Sequence, residues 1–192
     1  MFAYGITLLL AACTRTSDHR IIQIPIDTNA TKKTAPVETL IYDNASTERI
    51  NTGIVTPQDV VTFAQTLKGV PYQYASCDPS SGFDCSGFIY YVFDHFHIKV
   101  PRSSVNFTDV GKTVDKADAK PGDIILFTGT DPSNRTVGHI GIVSANMGDS
   151  LTFIHSSSGK ANGVTTSPLD EYYKGRFVTI IRVFKQNETP LP

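Results

Sequence analysis

What most narrows the fold of this chain is the order of its hydrophobic periods: helical stretches come first and strand-type runs follow. "TPQDVVTFAQTLKG" (56–69) opens with Thr56 as a cap and Pro57 at the first helical position, and it stops at Gly69. Within it Val60, Phe63, Ala64 and Leu67 recur at i, i+3, i+4 and i+7, the spacing of one buried helix face. A second helix is predicted from Cys85, capped by Asp84, with Ile89, Val92, Phe93 and Phe96 as its stripe and Val100-Pro101 as its end. Then "KPGD" (120–123) reads as a turn, followed by strand candidates "IILF" (124–127), "HIGIV" (139–143), "LTFIHS" (151–156) and "TIIRVF" (179–184). Helices followed by strands predict an α+β domain, with the N-terminal helices packed on one face of a mostly antiparallel sheet.

Length and composition fit one such domain with an appendage: 192 residues, 40% hydrophobic and 18% charged. A net charge of −1, with no basic block longer than Lys32-Lys33, argues against a nucleic-acid partner. The chain begins with an uncharged apolar run from Phe2 to Cys13. A span needs roughly 20 apolar residues, so this run has instead the length of a secretory h-region. Leu10-Ala11-Ala12-Cys13 resembles a bacterial lipobox, which implies lipidation of Cys13 and membrane anchoring, although no Lys or Arg precedes the run. The alternative is a strand-like segment with a core cysteine. Residues 14–53, punctuated by Pro25 and Pro36, read as a tether, 54–186 as the folded domain and 187–192 as a tail.

Cys85, in "GFDCSGF", is the residue with a chemical question attached. At the start of a helix it meets unpaired N–H groups and the positive end of the macrodipole, which favour a thiolate nucleophile. Ser86 and Gly87 leave uncrowded amides for an oxyanion. A small buried residue at a helix start is the equal alternative on local sequence alone. The histidines decide between them. His19 lies in the tether, and His95 and His97 lie at the far end of the same helix, roughly 15 Å from Cys85 for His95. His139 and His155 lie on strands flanking "SANMGDS", and a hairpin centred on Met147 sets Val143 opposite Leu151, Gly141 opposite Phe153 and His139 opposite His155. Two imidazoles side by side on a sheet face suit a Cys–His–polar acyl-transfer site: Cys85 attacks, His139 is the base and His155 orients it. One cysteine and two distant histidines lack the paired spacing of zinc sites, so the weaker reading is a metal centre, and no cofactor is expected.

"GVPYQY", "GFDCSGF", "PRSS", "KPGDIILF", "GHIGIV" and "FIHSSSGKANGV" together resemble, in order, the NlpC family of bacterial cell-wall cysteine peptidases, over roughly 56–185. That resemblance implies a papain-like α+β fold and cleavage of peptidoglycan stem peptides, commonly between D-glutamate and a diamino acid. The family's nucleophile falls on Cys85, its base on His139 and its third polar residue on His155. Its loop tyrosine falls on Tyr72, implying an oxyanion role, and an arginine often kept near the cleft falls on Arg102. Ala75-Ser76 replaces the Gly-Gly of many relatives, and Cys77 is an extra thiol, for which a regulatory disulfide with Cys85 is one expectation. The functional expectation is a lipid-anchored, envelope-facing endopeptidase. An envelope amidase or acyltransferase on the same fold, or a silent wall-binding module, is the alternative.

Overall fold

The computed structural model describes residues 49–131, 133–148 and 150–188. Cys13, His19 and the tether up to residue 48 lie outside the described residues. Among those described, no helix is long and apolar enough to cross a membrane.

Helix α1 (Pro57–Thr66) forms where its caps demand. The Thr56 hydroxyl accepts the Asp59 N–H at 3.2 Å, and Asp59 accepts the Thr56 N–H at 3.0 Å, a reciprocal capping box. Helix α2 (Cys85–Asp94) is shorter than expected. His97 adopts a left-handed φ of 58°, and the Ile98 N–H returns to the Phe93 carbonyl at 3.0 Å, so the chain reverses well before Pro101. The His95 ring stacks flat on Phe63, centroids 3.7 Å apart, far from any chemistry at Cys85.

The strands are β1 (Cys77–Asp78), β2 (Gly82–Phe83), β3 (Lys112–Val114), β4 (Ile124–Thr128), β5 (Val137–Asn146), β6 (Leu151–Ser157), β7 (Gly163–Pro168) and β8 (Phe177–Arg182). β1 and β2 form a small hairpin, and the rest form one sheet in the order β3-β8-β4-β5-β6-β7, antiparallel throughout. Ile124, Leu126, Ile140, Ile142, Ile154 and Ile181 face α1 and α2. The opposite face is also covered: Ile125, Phe127, Val143, Phe153 and Ile180 pack with Tyr173 of a third helix, α3 (Glu171–Arg176). Burial on both sides is why "IILFT" in β4 is apolar almost without alternation.

The turn before β4 is fastened by charge. Asp123 accepts from Arg182 Nε at 3.1 Å and Nη2 at 2.8 Å, and from the Lys120 N–H at 2.8 Å, with no exposure of its side chain.

β5 and β6 do pair, but two residues out of the expected register: Ile142 faces Ile154 and Val143 faces Phe153. Nearer the tip Ala145 faces Thr152, so Ser144 is an extra residue, a β-bulge. The bulge decides which way the histidines point. If the tip register continued inward, His155 would lie opposite Ile142, on the face that His139 does not occupy. A second bulge flanks His139 on its other side: Phe127 pairs with His139 and Thr128 with Val137, leaving Gly138 extra.

Candidate active site

Asp84 builds the position of Cys85. Its side chain caps α2 by accepting the Gly87 N–H, and Arg102 grips the same carboxylate through Nη1 at 3.1 Å and Nη2 at 2.7 Å. Arg102 Nη1 also donates to Ser86 Oγ at 3.0 Å. Arg102 thus clamps the cap of the cysteine helix and is not part of the cavity wall. Gly87 spends its amide on the cap, which removes it as an oxyanion donor. What glycine does there is admit the preceding loop: a Cβ on Gly87 would stand 2.0 Å from the Ser76 carbonyl oxygen. That carbonyl accepts the Asp84 N–H at 3.0 Å, so the loop is hydrogen-bonded to the helix start.

Cys85 is a free thiol, so the expected bridge to Cys77 is not formed; Cys77 sits in β1 opposite Phe83. Cys85 Sγ lies 4.0 Å from the Gly138 carbonyl, the residue bulged out of β5 beside His139. Burial pushes the thiol up to about 11 and Asp84 adds to the rise, against backbone N–H groups of Ser86, Cys85 and Ile140 that pull it down. The helix start acts in the expected direction, but burial outweighs it, so the resting site holds a thiol.

Tyr72, Cys85 and His139 open onto one cavity of about 980 Å³. His139 Nε2 lies 2.9 Å from His155 Nδ1, so the two rings are spent on each other, not held apart for a metal. They meet along a diagonal of the ladder. Gly141 makes room: a Cβ there would be 3.3 Å from His155 Cβ and 2.8 Å from Phe153 Cδ2. Behind His155, its Nε2 lies 3.0 Å from Ser167 Oγ and 3.5 Å from the Tyr173 hydroxyl.

This chain of contacts allows one useful tautomer set. His139 donates from Nε2 to His155 Nδ1, and His155 donates from Nε2 to Ser167, which leaves His139 Nδ1 as an unprotonated acceptor. Burial, the neighbouring His155 and Arg176 hold His139 well below the ordinary histidine range. Burial and Arg176 bring His155 down to about 4. Both imidazoles are therefore neutral at pH 7. The Tyr72 hydroxyl is raised by burial, then by Cys85 and Asp84, so it stays an O–H donor.

Ser167 and Arg176 join the cavity wall unanticipated. The legible signal for their neighbourhood was Asp170, which caps α3 by accepting the Tyr173 N–H at 3.1 Å, with Glu171 in the first turn.

An α+β fold in which a cysteine opens a helix and shares its cavity with a histidine from an antiparallel sheet is the papain-like arrangement. Within it, the chain belongs to the NlpC/P60 family, whose profile matches residues 69–183. Over 132 residues it is 38% identical to the gamma-DL-glutamyl hydrolase of Bacillus subtilis (strain 168), covering 68% of this chain and 30% of that protein. It is 32% identical over 122 residues to the murein DD-endopeptidase MepS/murein LD-carboxypeptidase of Escherichia coli (strain K12), covering 62% of this chain and 59% of that one. An NlpC/P60 family protein from Bacillus cereus ATCC 10987 shares the fold with a TM-score of 0.60 at 26% identity, over 69% of this chain and 42% of its own. The chain thus spans less than two thirds of the length of each of these relatives.

Proposed function

We propose that the protein is a cysteine endopeptidase that hydrolyses amide bonds in peptidoglycan stem peptides, at the D-glutamyl–diamino acid bond. The observation that carries this reading is the relay from His139 Nε2 to His155 Nδ1 at 2.9 Å, behind a cavity that holds Cys85. As Sγ attacks the carbonyl carbon, His139 Nδ1 takes the thiol proton, and the imidazolium is stabilised by its bond to His155. A neutral thiol and a neutral imidazole require this transfer to accompany attack. The oxyanion is received by the Cys85 N–H and the Tyr72 hydroxyl. His139 then protonates the leaving amine, and water, deprotonated by the same nitrogen, cleaves the thioester.

The choice of bond is supported by the gamma-DL-glutamyl hydrolase likeness; the relative described as a DD-endopeptidase is the reason to test it. The experiment is mass spectrometry of peptidoglycan fragments after incubation with the full chain and with Cys85→Ala. Products cut at the D-glutamyl–diamino acid bond, absent with the variant, are expected. Products cut at a DD bond would correct the substrate position, and identical products from both proteins would remove Cys85 as nucleophile.

Leu10-Ala11-Ala12-Cys13 supports an envelope-facing location with a lipid on Cys13. Two or more acyl chains anchor stably where one is marginal. Detergent-phase partitioning of the expressed protein, lost in Cys13→Ser, is the expected result, and equal partitioning would overturn it.

A further inference from the structure

Arg176 ends α3 with only 8% of its surface exposed, in the wall of the catalytic cavity. Three of its N–H groups are used, all on neutral acceptors: Nε to the Gly129 carbonyl at 2.9 Å, Nη2 to the Thr128 carbonyl at 2.8 Å and Nη1 to the Tyr172 hydroxyl at 2.6 Å. The guanidinium also lies 5.0 Å from the centre of the Tyr172 ring. These contacts fix its plane without neutralising it. Among the described residues, the other buried arginine, Arg182, is paired with Asp123, whereas Arg176 has no carboxylate within 4.0 Å. One N–H on each of its terminal nitrogens has no acceptor among the described residues.

A buried cation without a counter-charge is expensive and needs a reason. The cavity wall adds a second cation, Lys160, and its one carboxylate among the described residues, Asp170, caps α3. Arg176 is also close enough to the reacting centre to depress both His139 and His155. In a chain of net charge −1, this cavity is locally cationic.

We propose that Arg176 is a carboxylate-binding subsite, which holds a free carboxylate on one of the two residues flanking the scissile amide. The inference rests on the endopeptidase reading and names what that site selects: peptides carrying the anion, against the same peptides amidated at that position. A planar, rigidly held guanidinium fits the two oxygens of a carboxylate, and a carboxamide offers it one neutral oxygen.

The test uses three stem peptides: one unmodified, one amidated at the α-carboxylate of D-glutamate and one amidated at the diamino acid. Wild type is expected to lose at least about tenfold in kcat/KM, mostly through KM, on one amidated peptide. Arg176→Gln should lose activity on the unmodified peptide and treat it like the amidated one, whereas Arg176→Lys should keep part of the preference. If Arg176 acted only by depressing His139, its replacement would shift the acid limb of the pH profile equally for all three peptides and leave the preference intact. That result, or equal cleavage of all three by wild type, overturns the subsite. Calorimetry of the same peptides on Cys85→Ala reports the subsite without turnover. Preferential binding of the unmodified peptide together with no cleavage by wild type would therefore keep the subsite and sink the endopeptidase reading. Because Arg176 also holds the carbonyls of Thr128, at the end of β4, and Gly129, the charge-keeping Arg176→Lys beside Lys160→Gln decides the assignment if Arg176→Gln does not fold: an amidation preference weakened by Arg176→Lys and kept by Lys160→Gln is expected, and the reverse overturns it.

Discussion

Replacing Gly87 by alanine sets two effects of opposite sign against each other. In an ordinary helix the change stabilises by up to about 1 kcal/mol, because alanine loses less backbone freedom. Here the added Cβ would stand 2.0 Å from the Ser76 oxygen, 2.9 Å from its carbonyl carbon and 3.0 Å from Asp84 Oδ1. The loop has to retreat by about 1 Å, and it cannot do so freely because the same Ser76 oxygen accepts the Asp84 N–H at 3.0 Å. Overpacking of this kind costs about 1–3 kcal/mol, and losing the hydrogen bond costs roughly 1 kcal/mol more. The sterics win, and a net destabilisation of about 1–3 kcal/mol is expected from urea unfolding followed by circular dichroism. The displaced loop also carries Tyr72, so kcat/KM should fall by about a hundredfold, the usual effect of a misplacement near 1 Å. A Gly87→Ala protein with a urea midpoint equal to or above wild type would refute the packing argument, and with it the reason for glycine in "DCSGF".

Three further outcomes follow from the same contacts. His155 is held at about 4 in the folded state against 6.5 ordinarily, so the unfolded chain binds the extra proton between those values. Stability is then fully present above pH 6.5 and falls by about 3 kcal/mol as the pH drops to 4, a loss that should be smaller in His155→Gln; a flat urea midpoint across that window would contradict it. Asp123→Asn leaves Arg182 buried without its counter-charge and should cost about 3–5 kcal/mol in urea while leaving kcat near wild type in the folded fraction; a loss under 1 kcal/mol would show that the pair is not what fastens the turn. Ser167→Ala removes the acceptor behind His155 and should lower kcat up to about tenfold with KM unchanged, because Tyr173 at 3.5 Å replaces it only in part; an unchanged kcat would end the relay at His155.

How much of this was readable beforehand depended on whether the determining signal lay in side-chain pattern or in backbone and distance. Thr56, Pro57 and Asp84 announce their helices because capping is local chemistry, and the four strands that line the core show as apolar runs. The early end of α2 was hidden because it depends on His97 taking a left-handed conformation that its residue type does not advertise. β7, "GVTTSP", carries little apolar alternation, and α3 is six residues long, too short to show a period, so Ser167 and Arg176 stayed out of view. The balance at Cys85 is hidden for a related reason: the helix start is visible in sequence, but the depth of burial that outweighs it is built by distant segments. His139 and His155 come into contact despite the wrong hairpin register, because the error was two residues, an even number.

That parity has a consequence for how this protein can vary in length. One residue added to or lost from the body of β5 between His139 and Ser144 turns an imidazole to the wrong side of the sheet, and is thus equivalent to deleting that imidazole without touching it. The hairpin tip beyond Asn146 is insulated from that rule, since Ser144 already absorbs the mismatch between tip and body. Single-residue insertions and deletions should accordingly be tolerated at 147–150 and lethal to turnover a few residues earlier, a boundary set by counting alone.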